Sequence, residues 1–271
     1  MFSREQYKQM ARSLHVLLDE TRKYTDSIPK KVEGMQNIYL RTNSDLYSRE
    51  EKQKIQYYLQ ACNYKFYLAT LSLEQLWALS HTKRDEVFNV LENSLDRLEC
   101  SDDDLLLISF VFEGFLFQSR AFLDFYMLYI CLVLKTGHEG RISKSKFSKA
   151  LTNVTPPLVE KGAIITEYFE TKVFSSSNKS WLSPENWGTL LRSLRDKIAH
   201  RDLLRPSFDS DETLTGQVLF DWPTLRQTTY DRFCQYMQNG MFDLLREVSP
   251  ILYDVEWILG PYRPDMWSKD N

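Results

Sequence analysis

The sequence predicts an all-α fold: a helical bundle with a small β-hairpin after residue 202. Three observations carry this. Only 9 Gly and 9 Pro fall among 271 residues, too few for a turn-rich all-β chain. Apolar and aromatic side chains recur at three-to-four spacing along most of the chain. Residues 101–137 combine a helix start, an apolar body and a helix stop. Hydrophobic residues are 43% and charged residues 26%, a balance that supports a sizeable core.

Residues 3–25 carry Leu14, Leu17 and Leu18 at helical spacing. "SIPKKVEGMQNIYLRTNSD" (27–45) reads as a connection. From Ser48 to Leu79 the pattern is helical, with Tyr57, Tyr58, Tyr64, Phe66 and Tyr67 as an aromatic face. "RDEVFNVLENSLDRLE" (84–99) reads as a separate amphipathic helix through Val87, Val90, Leu91 and Leu95.

Ser101 and the three aspartates after it make a helix start, because their oxygens and negative charge suit exposed amide groups there. Lys135 and Gly137 make the stop. The helix between is apolar nearly all round, so it belongs at the centre. Its charges are not scattered: Glu113, Arg120 and Asp124 fall within an arc of about 40° at 100° per residue. The stripe either faces another helix or holds an internal ion pair, since Arg120 and Asp124 are four apart.

"HEGRISKSKFSKALTNVTPP" is a basic loop or short helix. A helix over 158–173 and a polar loop, "SSSNKSWLS", follow. Ser183 caps the next helix and Pro184 takes its first position. "LLRPSFDSDETLTGQVLF" has a turn-rich centre between extended segments, the mark of a hairpin. A last helix runs over 223–248. The chain divides into an N-terminal helical region, 1–100, a helical core, 101–250, and a tail, 251–271.

Composition limits the function. The net charge is −3, so a nucleic-acid site must be a local patch. Cys62, Cys100, Cys131 and Cys234 have no zinc or redox spacing and read as reduced, buried thiols of a cytoplasmic protein. "MFSREQYKQMARSLH" lacks the apolar core of a signal peptide. "FYMLYICLVL" (125–134) is too short to span a bilayer, so no membrane role is expected. Nucleophile-elbow and phosphate-cradling glycine motifs are absent.

"LRSLRDKIAHRD" (191–202) holds the chemistry. With four histidines, 17 arginines and three permitted spacings, chance supplies about 0.7 Arg–His matches. The weight therefore rests on context: Asp196 directly after Arg195, the capped helix, and the apolar helix before it. Taken alone, the pair also fits a solvated arginine and a histidine at a helix end.

This segment resembles the HEPN superfamily, whose signature is Arg-x4–6-His with a polar residue after the arginine. "RDKIAH" has that form, and "FEGFLFQSRAFLDFYMLYI" looks like the family's long core helix. The resemblance covers about 101–250. It implies a HEPN-type bundle and metal-independent RNA cleavage by a homodimer, with no cofactor. RNA supplies its own 2′-hydroxyl nucleophile. His200 would move protons near neutral pH. Arg195 would hold the phosphate and offset charge in the transition state, and Asp196 would orient either. Arg195 and His200 diverge by about 140° on one helix, so two copies across a two-fold axis are needed to converge on one phosphate.

Arg192, Lys197, Arg201 and Arg205 form a basic cluster, and Arg141, Lys144, Lys146 and Lys149 a second. Both are candidate RNA contacts; a solvated face is the other reading. On this resemblance Glu113, Arg120 and Asp124 support the catalytic residues. The setting it implies is toxin–antitoxin or phage defence, with an antitoxin or defence protein as a further partner. In one branch of the family a modified tyrosine follows two positions after the histidine; here Asp202 stands there. A non-catalytic nucleotide- or RNA-binding module is the alternative. A metal phosphohydrolase built on Glu113, Asp124, Asp196 and His200 is weaker, for want of a close ligand pair.

Overall fold

The computed structural model describes residues 27–91, 97–98, 101–138, 140–175, 186–199, 207–212, 219–225 and 228–255. These are mostly helical, as expected. The helix expected over 3–25, the cap at Ser183 and Pro184, and most of the tail over 251–271 lie outside them.

Residues 27–42 form helix α1, where the sequence suggested a connection. The apolar positions account for the helix: Ile28, Val32, Met35, Tyr39 and Leu40 are buried at helical spacing, even with Pro29 and Gly34 inside it. Gln36 ties α1 to the next helix by donating to the Ile55 carbonyl at 3.2 Å.

A 3-10 turn, Ser44–Leu46, leads into α2, Arg49–Leu91. Ser48 and Glu51 cap α2 reciprocally: the Glu51 carboxylate accepts from Ser48 N at 2.7 Å, and Glu51 N donates to Ser48 Oγ at 3.2 Å. This helix runs unbroken for 43 residues. The helix expected over 84–99 is therefore the end of α2. Arg97–Leu98 is a short strand, β1, instead.

Helix α3, Asp102–Val133, begins on a Ser101–Asp104 capping box, as the sequence suggested. It ends where Lys135 turns left-handed at φ 52° and Gly137 follows at φ 71°. Tyr47 donates to the Val133 carbonyl at 2.7 Å, and Lys135 to the Leu46 carbonyl at 2.8 Å. These bonds satisfy a free helix-end carbonyl and pin the end of α3 to the start of α2.

Helices α2 and α3 run antiparallel, joined by Phe66 on Phe122 and Tyr58 on Phe125. Helix α7, Tyr230–Tyr253, packs on both. Phe242 meets Phe66 edge-on at 5.1 Å, and Tyr230 stacks on Phe112 at 4.0 Å. Deeper in, Tyr126 bonds Ser249 at 3.2 Å and Tyr129 bonds Tyr253. One hydrophobic core therefore runs from Ile28 to Tyr253, with residues from 27 to 91 contributing to it alongside those after 101.

Helix α4, Lys144–Leu151, and α5, Val159–Tyr168, follow, α5 continuing as a π turn, Phe169–Val173. The helix expected over 158–173 thus stands. Lys161 of α5 holds the end of α7 through the Leu252 carbonyl at 3.0 Å. Helix α6, Trp187–Ala199, seats Trp187 against Gly240 of α7. A Cβ at Gly240 would lie 2.6 Å from the indole, so only glycine permits this approach.

The hairpin expected after α6 is present in the backbone. β2, Ser207–Glu212, and β3, Leu219–Leu225, pair antiparallel from Ser207↔Thr224 to Glu212↔Leu219. β1 joins β3 in parallel, and β4, Thr228–Thr229, pairs with its far end. Pro223 therefore sits in a strand, and α7 starts seven residues later than expected.

By length and composition α3 is apolar enough to cross a membrane over Asp103–Val133, and 44% of its apolar window is buried inside the fold. The apolar run is thus longer than the ten residues at 125–134. Cys62, Cys131 and Cys234 are free and buried; Cys100 lies outside the described residues.

Candidate functional site: the seam of α3 and α6

Helix α6 is amphipathic by sequence. Trp187, Leu191 and Leu194 are buried and Ile198 half-buried, at i, i+4, i+7 and i+11. That stripe seats α6 on the bundle and leaves Asp196 and Lys197 exposed. Arg192 and Arg195 lie at its margin.

Arg195 lies over the Phe117 ring of α3, 5.8 Å from guanidinium carbon to centroid. Its Nη1 donates to Asp196 Oδ1 at 3.1 Å. Asp196 thus contacts the arginine it follows in sequence. Both side chains are about half exposed, 40% and 54%, so this pair holds geometry more than it adds stability.

Below them is the charged stripe of α3. Arg120 Nη2 lies 2.7 Å from Asp124 Oδ1. The contact is an ion pair without hydrogen-bond alignment, and the buried Nη1 of Arg120 has no hydrogen-bond partner. Burial lowers the arginine's pKa against the pull of Asp124, and Arg192 and Arg195 lower it further. Burial likewise raises that of Asp124, opposed by Arg120, Arg192 and Arg195. Desolvation outweighs attraction on both partners, so the pair is incompletely compensated. Arg120 and Asp124 pair with each other, the internal ion pair that the spacing allowed, and both feel the charges of Arg192, Arg195 and Asp196 on α6.

Glu113 departs from them. It is half-buried, and its field is felt by Tyr230 at the start of α7, whose pKa is pushed up to about 12, mainly by burial.

The two basic clusters meet at one ring. The Phe174 ring has Arg192 at 5.8 Å and Lys144 at 5.3 Å from its centroid. Lys144 also donates to the Phe174 carbonyl at 3.1 Å. Lys146 sits one turn into α4, where Ser143 caps the helix, and its ammonium reaches the Arg141 carbonyl at 3.4 Å. Basic side chains therefore follow one another from α4 across Phe174 to Arg192 and Arg195. Sequence reasoning missed Phe117 and Phe174 as platforms. The signal for Phe117 was present, since it falls between Glu113 and Arg120 on the same helix face.

His200, Arg201 and Arg205 lie outside the described residues. Among the described residues, no group of three or more His, Cys, Asp or Glu could hold a metal ion. In comparisons with known proteins, no family model, no curated protein and no solved structure matches this chain.

Proposed function

We propose that this chain is a metal-independent endoribonuclease of the HEPN type, working in the cytoplasm as a homodimer. The observation that supports the reading is that Arg192 and Arg195 of α6 act electrostatically on the Arg120–Asp124 pair of α3, together with Asp196, so that among the described residues three arginines and two aspartates gather at one seam. Such an excess of cationic groups is suited to a phosphate. Arg195 holds the scissile phosphate, held in turn by Asp196 and the Phe117 ring. His200 transfers protons between the 2′-hydroxyl and the leaving 5′-oxygen. The 2′-oxygen forms a bond to phosphorus as the phosphorus–5′-oxygen bond breaks, leaving a 2′,3′-cyclic phosphate. Arg192, Lys144, Lys146 and Lys197, with Arg201 and Arg205, contact flanking phosphates. Toxin–antitoxin or defence systems suit an enzyme of this kind, with an antitoxin or defence protein as a further partner.

A second reading, a non-catalytic RNA-binding or partner-binding module of the same type, is favoured by the exposed Leu106 and Phe110. Degradation of RNA in EDTA separates the two. Cleavage by the wild type that ends in a cyclic phosphate, lost in His200→Ala, supports the nuclease. An equally active His200→Ala chain contradicts it, and tight RNA binding without cleavage favours the second reading.

A further inference from the structure

We infer that a buried polar column between α2 and α7 is a binding site for a hard divalent cation of the size of Ca²⁺. Thr70, Glu74 and Trp77 lie on one stripe of α2, and Asp231, Gln235 and Gln238 on one stripe of α7, each set spaced i, i+4, i+7. The two stripes face each other. Phe66 of α2 meets Phe242 of α7. One turn on along α2 and one turn back along α7, Gln238 Nε2 donates to Thr70 Oγ1 at 2.7 Å. The same register carries on to Glu74 beside Gln235 and to Trp77 beside Asp231. All six residues are at least nine-tenths buried.

Polar atoms in an apolar core are costly unless they are matched. In this column Asp231 Oδ1, Gln235 Oε1 and Gln238 Oε1 are buried with no hydrogen-bond partner, against one such N–H, Trp77 Nε1. The orientation of Gln238 is fixed. The Thr70 hydroxyl donates its proton to the Phe66 carbonyl at 3.0 Å, so its oxygen can only accept, and the amide nitrogen must be the end that faces it. The amide oxygen is left for another partner. Gln235 likewise has its amide nitrogen engaged, on Asn239 Oδ1 at 2.8 Å. An excess of acceptors with a carboxylate among them calls for positive charge. Asp231 and Gln235 are one turn apart on one face, so both can reach a single ion, and Glu74 adds a second carboxylate from α2. Carboxylate and amide oxygens are the ligands of hard cations, and a buried set of them suits Ca²⁺ over the more heavily hydrated Mg²⁺. The column lies on the side of α3 away from the arginine seam: Phe122 and Phe112 meet α2 and α7 there, while Phe117 lies under Arg195. The ion therefore ties α2 to α7 and touches no reacting group, which is compatible with RNA cleavage in chelator.

The test is the thermal midpoint of the full chain, stripped with EDTA and dialysed, against rising CaCl₂, with MgCl₂ and KCl at matched ionic strength as controls. Terbium luminescence excited through tryptophan, with Trp77 as the nearby energy donor, is followed on the same samples. The expected result is a saturable rise of the midpoint with CaCl₂ and a terbium signal that CaCl₂ displaces. The Ca²⁺ affinity should fall by about tenfold or more in Asp231→Asn and in Gln235→Met. Each variant is compared with itself with and without ion, and Gln235→Met carries the reading where Asp231→Asn does not fold. Trp77→Phe should dim the terbium signal and leave the calcium shift. A midpoint indifferent to CaCl₂, the result of a column matched by water alone, overturns the inference. So does a shift that KCl reproduces, or a calcium shift undiminished in the variants. RNA cleavage is a separate outcome: its absence removes the nuclease and leaves the ion site, and an absent ion site leaves the nuclease.

Discussion

The inner and outer faces of α3 are built from the same kinds of residue and put them to opposite uses. The inner face places Phe112, Phe115, Phe122, Tyr126 and Tyr129 at no more than 1% exposure, and the tyrosine hydroxyls find partners on α7. The outer face leaves Leu106 and Phe110 in water, and its buried arginine keeps one nitrogen unpartnered. A face optimised for stability satisfies its polar atoms and hides its apolar ones. Each face holds a buried polar atom without a partner, Ser119 Oγ on the inner and Arg120 Nη1 on the outer; what sets the outer face apart is its exposed Leu106 and Phe110 and its charged pair beneath α6, and the site is placed there.

Substitutions sharpen the contrast. Phe122→Ala on the inner face should cost about 3–5 kcal/mol in a urea or thermal melt, from lost burial and a residual cavity. Phe110→Ala on the outer face, measured in the monomeric range, should stay within about 0.5 kcal/mol. Comparable losses from both would erase the distinction between the faces.

Breaking the ion pair is the next largest effect. Arg120→Met should destabilise the chain by about 1–3 kcal/mol, because Asp124 loses its counter-charge while partly buried. Arg120→Met with Asp124→Leu should recover most of that loss in the same melt. A double variant as unstable as Arg120→Met alone would mean the pair matters for packing and not for charge.

Lys144→Ala and Arg192→Ala should weaken RNA binding evenly across sequences. Each should reduce the dependence of log affinity on log salt by about one unit. An unchanged salt slope would leave the basic run across Phe174 as a solvated surface.

The smallest effect is on pH dependence. Burial holds the Asp124 pKa above the 3.8 of an unburied aspartate. The folded state then binds that proton more tightly than the unfolded chain, so this group's contribution declines as pH rises from 3.8 through the folded value. Asp124→Asn removes the decline, and its melting midpoint should gain on the wild type across that window. Glu51 has the opposite sign. The Ser48 amide, and then Lys135, lower its pKa, so its contribution is lost as pH falls through that range. Glu51→Gln should therefore lose less on acidification than the wild type.

Much of the inner face was legible in the sequence. Ser101 and Asp104 announced α3, and its apolar body announced a core helix. The hairpin was legible from the turn residues between 207 and 225. Three boundaries were not. The connection expected over 27–45 is mostly helix α1, held by the tertiary burial of its apolar side chains, and the separate helix expected over 84–99 is the end of α2 followed by β1. Pro223 suggested a helix start, yet it lies within β3 opposite Phe208, and the helix waits for Tyr230. The outer face was half legible: spacing alone put Glu113, Arg120 and Asp124 together. That Arg120 and Asp124 meet α6 while Glu113 lies near Tyr230 depends on where α6 crosses α3, which no local pattern encodes. The approach of Lys144 to Arg192 across Phe174 joins residues 48 apart and was equally out of reach.

The most direct test is the specific activity on single-stranded RNA in EDTA, followed by dilution from a dimeric to a monomeric chain, with His200→Ala at the highest concentration as reference. Activity per chain should fall as the dimer dissociates, and His200→Ala should be lower by about 10²–10⁴-fold. Activity per chain that stays constant into the monomeric range, or a His200→Ala chain as active as the wild type, would contradict a site made by two copies.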